Sequence, residues 1–166
     1  MKLIGAVIIF AVCVYAGFSM SDRLKKRCVY LKNICEALNL LETEITFGKS
    51  RLKQAFMKID KSGDTRGLFK TAADSMEETG IKKAWRQAVK DKQAELRFGD
   101  DDAHTLALLG ERLGMTDTED QIKNIVYTRR RLEGSLTSAE EEYTKFGRLY
   151  RNGGILAGLF LILILT

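Results

Sequence analysis

The chain has 166 residues, with 27 Lys and Arg against 22 Asp and Glu, one His, three Cys and no Pro. A formal charge of +5 raises the question of nucleic acid, but no basic stretch is interleaved with aromatic residues, which sets that class aside. Without proline or long β-branched runs the chain reads as all-α, and without a CxxC or Cys/His cluster it offers no metal or redox centre.

The first element is an uncharged apolar run over residues 3–20. As a helix it covers ~27 Å of the ~30 Å hydrocarbon core of a bilayer. A cleaved signal peptide is the competing reading, with Lys2 as its basic start and Val14-Tyr15-Ala16 as a cleavage site. The cluster Arg23, Lys25, Lys26, Arg27 directly beyond it resists translocation, which favours a retained span. From Leu24 onward Cys28, Leu31, Cys35, Leu38, Leu41 and Ile45 form one apolar face. They predict a helix from the membrane to about Phe47, stopped at Gly48. The seven-residue separation of Cys28 and Cys35, ~10.5 Å along a helix, forbids a bridge between them, so all three cysteines read as small buried hydrophobes.

A short helix is expected from about Arg51 to Asp60, capped by Ser50, with Leu52, Phe56 and Ile59 inward. Lys61-Ser62-Gly63-Asp64 reads as a loop. The third helix carries Leu68, Phe69, Ala72 and Met76 and ends before Gly80; the fourth starts near Ile81 and carries Trp85, Ala88 and Leu96. Asp100, Asp101 and Asp102 open a fifth, which holds Leu106 and Leu109 and closes near Gly114. Three aspartates could suggest a cation site, but carboxylates at a helix start oppose the positive end of its dipole, and that reading is preferred. Gly110 and Gly114 read as close-packing or capping positions. The single histidine, His104, lies just after the aspartates and has no base or nucleophile partner in the sequence pattern.

Thr116 and Glu119 have capping-box spacing, so a last helix begins there. Its seam, Ile122, Val126, Arg129, Leu132, Leu136, Ala139, Tyr143, Phe146, Tyr150, Gly153, Ala157, Phe160, alternates steps of three and four in the heptad rhythm of a packed helix pair. The rhythm runs on into a second uncharged segment, residues 153–166, predicting one helix of up to ~50 residues and ~75 Å. That segment spans only ~21 Å, short for a crossing, with a buried core helix as its competitor. Arg148 and Arg151 can extend it by snorkelling. Gly154 and Gly158 form a GxxxG pair that could pack against another span.

The predicted architecture is therefore a six-helix cytoplasmic bundle, residues 21–152, flanked by transmembrane helices at 3–20 and 153–166, with the first and last helices antiparallel. Basic residues on the inner side of both segments put both termini outside the cytoplasm. Residues 21–66 hold 11 Lys/Arg against 6 Asp/Glu, residues 67–120 hold 8 against 12, and residues 121–152 hold 7 against 4. The basic parts flank the membrane and suit anionic lipids. The acidic middle, including Asp74, Glu77, Glu78, Asp91 and Glu95, either faces a basic cytoplasmic partner or is a solvated helix surface. No catalytic, cofactor-binding or metal-ligating set is found.

Several strings carry a resemblance: LETEITFGKSRLKQAF at 41–56, Ala84-Trp85, LALLGERLGMTDTEDQIKNI at 106–125, and the GGILAGLFLILI ending. Over essentially its full length the chain resembles the stage III sporulation protein AB family of endospore-forming bacteria, itself similar to the F platform protein of type II secretion and type IV pilus systems. The resemblance implies a non-enzymatic part of a transport apparatus in the mother-cell membrane around the forespore. It also implies a bundle that docks the cytoplasmic ATPase of that apparatus, as a lever or a static scaffold, and other membrane subunits assembled around the spans. A two-span signalling adaptor with a helical cytoplasmic domain would share the same outline.

Overall fold

The structure, a computed structural model, describes residues 2–47, 51–114 and 117–165. Among them are six α-helices and no strand: α1 (Lys2–Phe47), α2 (Leu52–Ser62), α3 (Leu68–Thr79), α4 (Ile81–Leu96), α5 (Asp100–Leu109) and α6 (Thr118–Leu165). The stop expected at Gly48 and the caps expected at Ser50 and Thr116 lie outside the described residues. Asp117 caps α6: its carboxylate accepts from the Asp120 N–H at 2.8 Å. α2 runs two residues further than the sequence suggested, to Ser62, whose hydroxyl donates back to the Lys58 carbonyl at 2.8 Å.

The helices fall into two compact units, Val29–Thr137 and the pair Met1–Cys28 with Ser138–Thr166. In the first unit α3 packs on both α2 and α4, and α4 on α5. The centre of this unit is aromatic. Trp85, Phe56 and Phe69 are fully buried, with ring centroids 5.2–5.3 Å apart in edge-on or tilted arrangements. Each such pair adds ~0.5–1.5 kcal/mol beyond area burial. The Trp85 indole N–H is not stranded, since it donates to the Leu106 carbonyl at 2.7 Å. Leu31, Cys35, Leu38 and Leu41 bring α1 into this core, as the three- and four-residue spacing from Leu24 predicted, and Ile34, outside that predicted set, is buried with them.

Short connections are fixed by backbone chemistry. Gly80 joins α3 to α4 at φ 79°, ψ 152°, a conformation essentially reserved for glycine. Gly110 follows α5, and a Cβ there would lie 2.5 Å from the Trp85 ring, so only glycine lets that turn rest on the indole. In the α2–α3 loop Thr65 is buried and donates to Asp60 at 2.6 Å, while Arg66 donates to the Tyr30 hydroxyl and lies over its ring.

In the second unit the two apolar segments form an antiparallel helix pair. Phe10 meets Gly158, Gly17 meets Gly154, and Arg27 pairs with Glu142 at 3.6 Å. Gly17 and Gly154 bring the backbones together: a Cβ on Gly17 would lie 2.5 Å from the Tyr150 carbonyl, and one on Gly154 2.8 Å from that of Cys13. The GxxxG pair therefore packs on the N-terminal apolar segment. The heptad seam holds at Leu132 and Ala139, which are buried, and is lost at its far end, where Gly147 and Gly158 are buried and Ala157 and Phe160 are exposed. A straight helix drifts ~20° per heptad, so a seven-residue seam walks off the contact while positions eleven apart stay on it.

Candidate functional site

Catalytic chemistry needs converging reactive groups, and the described residues show no group of three or more His, Cys, Asp and Glu placed to hold a metal ion. His104 is exposed on α5. The aspartates before it act locally. Asp102 is buried and accepts from the Gly99 N–H at 3.2 Å, and Asp100 accepts from Gln93 at 2.9 Å. Both are capping and tethering contacts at a helix start. The cysteines are free thiols, with Cys35 buried and Cys13 and Cys28 half-buried. Burial pushes the Cys35 thiol up to about 12, with Glu133 adding to the shift. Cys28 is also raised, first by burial and then by Glu140. Neither is a nucleophile at neutral pH.

The acidic residues singled out from the sequence all lie exposed on α3 and α4. They do not share one environment. Glu77 pairs with Lys53 of α2 at 2.9 Å, Asp91 accepts from Gln87 at 2.7 Å, and Glu95 accepts from Lys92 at 3.1 Å while also acting on Arg66. Asp74 and Glu78, one helical turn apart, meet no hydrogen-bond or ion-pair partner among the described residues.

Sequence reasoning missed a groove of about 570 Å³ formed by α5, the turn after it and α6. Exposed Leu108 and Tyr127 give it apolar surface, and Arg112, Lys123, Arg131 and Asp120 give it charge. In its wall the Glu111 carboxyl is lowered from its ordinary value, chiefly by a hydrogen bond from Lys82 and also by the charge of Arg86. Most of the lining comes from the string at 106–125, so the signal was visible as a distinctive run, but not as a cavity.

The outer surface of the apolar pair is itself a candidate interface. Val7, Val12, Tyr15, Leu156, Phe160 and Leu163 are all more than half exposed. The helix through Val7–Phe47 is the one, among the described residues, long and apolar enough to cross a membrane; 6% of its apolar stretch is buried. A core helix of a water-soluble fold would hide that surface.

Comparison with known proteins gives a consistent picture. The family model described as Stage III sporulation protein AB (spore_III_AB) matches residues 2–166. The chain is 32% identical over 169 residues to Stage III sporulation protein AB of Bacillus subtilis (strain 168), covering 99% of each. A solved structure of Stage III sporulation protein AB superposes with a TM-score of 0.66 at 29% identity, covering 71% of this chain and 96% of the other.

Proposed function

Given that the chain belongs to the stage III sporulation protein AB family, and so has a role in sporulation, we propose that it is a non-enzymatic membrane platform of the transport apparatus between mother cell and forespore. The glycine-packed apolar pair sits in the mother-cell membrane around the forespore. Residues 21–152 are cytoplasmic and both termini lie on the opposite side. Other membrane subunits of the complex assemble around the apolar pair. The helical unit docks the cytoplasmic ATPase of the apparatus through the acidic surface of α3 and α4, with Asp74 and Glu78 at its centre and Glu77, Asp91 and Glu95 around them.

The observation that carries this reading is the conjunction, in one family member, of an uncovered apolar helix pair with a well-packed helical unit. Lys25, Lys26 and Arg27 on α1 and Arg148 and Arg151 on α6 border the apolar segments, the charge pattern of a cytoplasmic membrane face. The test is a binding measurement between the detergent-purified full chain and the ATPase subunit. Asp74→Lys with Glu78→Lys is expected to weaken binding about tenfold, because each reversal shifts an exposed charge interaction by ~0.7 kcal/mol and a tenfold change is ~1.4 kcal/mol. Unchanged affinity would remove the acidic surface as the dock. A His104→Ala strain is expected to sporulate normally, and a sporulation defect with intact protein levels would reopen the question of catalysis.

A further inference from the structure

We propose that the helix-pair unit carries a specific binding pocket for the phosphate of an anionic phospholipid headgroup. The pocket, about 310 Å³, is lined by Ser21 of α1 and by Tyr143, Thr144, Gly147, Arg148 and Arg151 of α6. At 100° per residue the five α6 positions fall within ~140° of one face, and Ser21 closes the opposite side. That brings two guanidinium groups and three hydroxyls to a single hollow. Guanidinium forks and hydroxyl donors are the groups that recognise a phosphodiester, through charge-assisted hydrogen bonds.

Three observations separate this hollow from a generally basic surface. First, its arginines are uncommitted. Lys26 is held by Asp22 at 2.7 Å, Arg27 by Glu142 at 3.6 Å, and Lys145 lies over Phe146, whereas Arg148 and Arg151 meet no carboxylate among the described residues. The nearby acidic side chains Asp22 and Glu142 are engaged by those same partners, so the pocket keeps its positive charge. Second, the space exists because position 147 is glycine. A Cβ there would press to 2.8 Å on the Tyr143 ring and reach within 3.5 Å of the Ser21 hydroxyl, pushing the lining inward. Third, the depth is right. Arg151 and Arg148 stand ~3 and ~7.5 Å along α6 before the uncharged segment opens at Gly153, and the headgroup layer outside the hydrocarbon core is ~5–7 Å thick. A lipid whose acyl chains lie along the apolar pair places its phosphate at that level. The volume is at the small end of ligand cavities, ~300–1,000 Å³, and holds a phosphate with its glycerol.

This inference rests on the membrane reading above, and the experiment keeps the two apart. The full chain in neutral detergent is titrated with dioleoyl-phosphatidylglycerol, dioleoyl-phosphatidylcholine or inorganic phosphate, and bound species are counted by native mass spectrometry. Flotation of the same protein with pure phosphatidylcholine vesicles is scored in parallel. The expected result is a preference of about tenfold or more for phosphatidylglycerol. It is abolished by Arg148→Gln with Arg151→Gln and kept by the equal charge change Arg23→Gln with Lys25→Gln. Gly147→Ala, which alters no charge, is expected to weaken the preference as well. Equal loss in both double variants would overturn the proposal in favour of diffuse attraction. So would the lack of any preference, or inorganic phosphate that fills the site as tightly as the lipid. If the protein floats with neutral vesicles but shows no preference, only the pocket fails; if it floats with none, the membrane reading falls too.

Discussion

At Gly110 the structure depends on a missing side chain. A Cβ would stand 2.5 Å from Cδ1 of Trp85, inside the aromatic cluster that centres the helical unit, so Gly110→Ala is expected to destabilise by about 1–3 kcal/mol, as overpacking does. Arg97 is the reverse case. It ends α4 at φ 58°, ψ 30°, a left-handed conformation costing a non-glycine residue roughly 1–2 kcal/mol. Arg97→Gly is therefore expected to stabilise, and denaturant midpoints of the two variants should move in opposite directions. The role of Gly110 was legible in the sequence, as a close-packing or capping glycine. That of Arg97 was not, because arginine carries no signature of a left-handed cap and the constraint comes from the turn into Phe98. Cys35 adds a pH dependence. Its thiol, 9.0 in the ordinary case, is pushed up to about 12 by burial. Between those values the folded chain keeps a proton that the unfolded chain has lost, so this residue's contribution falls as pH rises through that window. Unfolding followed from about pH 8 to about pH 10.5 should show the native chain losing stability faster than Cys35→Ala.

Elements were more legible than their contacts. The apolar spacing on α1 and the rhythm of α6 run without interruption, and both helices form as expected. The seam of α6 was misread at its far end, because step size was judged from side-chain hydrophobicity, whereas the GxxxG reading of Gly154 and Gly158 found the true contact. Glycines have no hydrophobic signal, so a backbone-to-backbone approach is nearly invisible to periodicity. The packing makes a direct prediction. A Cβ on Gly158 would lie 3.4 Å from the Cβ of Cys13, about the separation found in disulfides, ~3.5–4.5 Å. Oxidised Gly158→Cys protein should form a bond to Cys13 that shifts its mobility on a non-reducing gel, once the Phe10 ring has swung aside. The lack of that shift, with both thiols titratable, would mean that the pair packs in another register. The acidic set shows the same division: its charge was plain in the sequence, but the partner of Glu77 is Lys53 on a different helix, a tertiary neighbour that local spacing cannot reveal.

For the molecule as a whole, composition and the two uncharged ends pointed to a membrane protein. The structure adds an apolar pair whose outer surface is uncovered, and a helical unit with a closed aromatic core. The proposed role requires that this helical unit face the cytoplasm. Gly63, in the α2–α3 connection, offers a handle: it is exposed, sits in extended backbone at φ −159°, and has open space around the position of a Cβ. Labelling Gly63→Cys with a membrane-impermeant maleimide, before and after permeabilisation, in intact cells that carry the chain in the membrane bordering the medium, tests the topology directly. The proposed arrangement requires protection in intact cells and full labelling once the membrane is opened. Labelling from outside, on protein that still fractionates with the membrane, would contradict it.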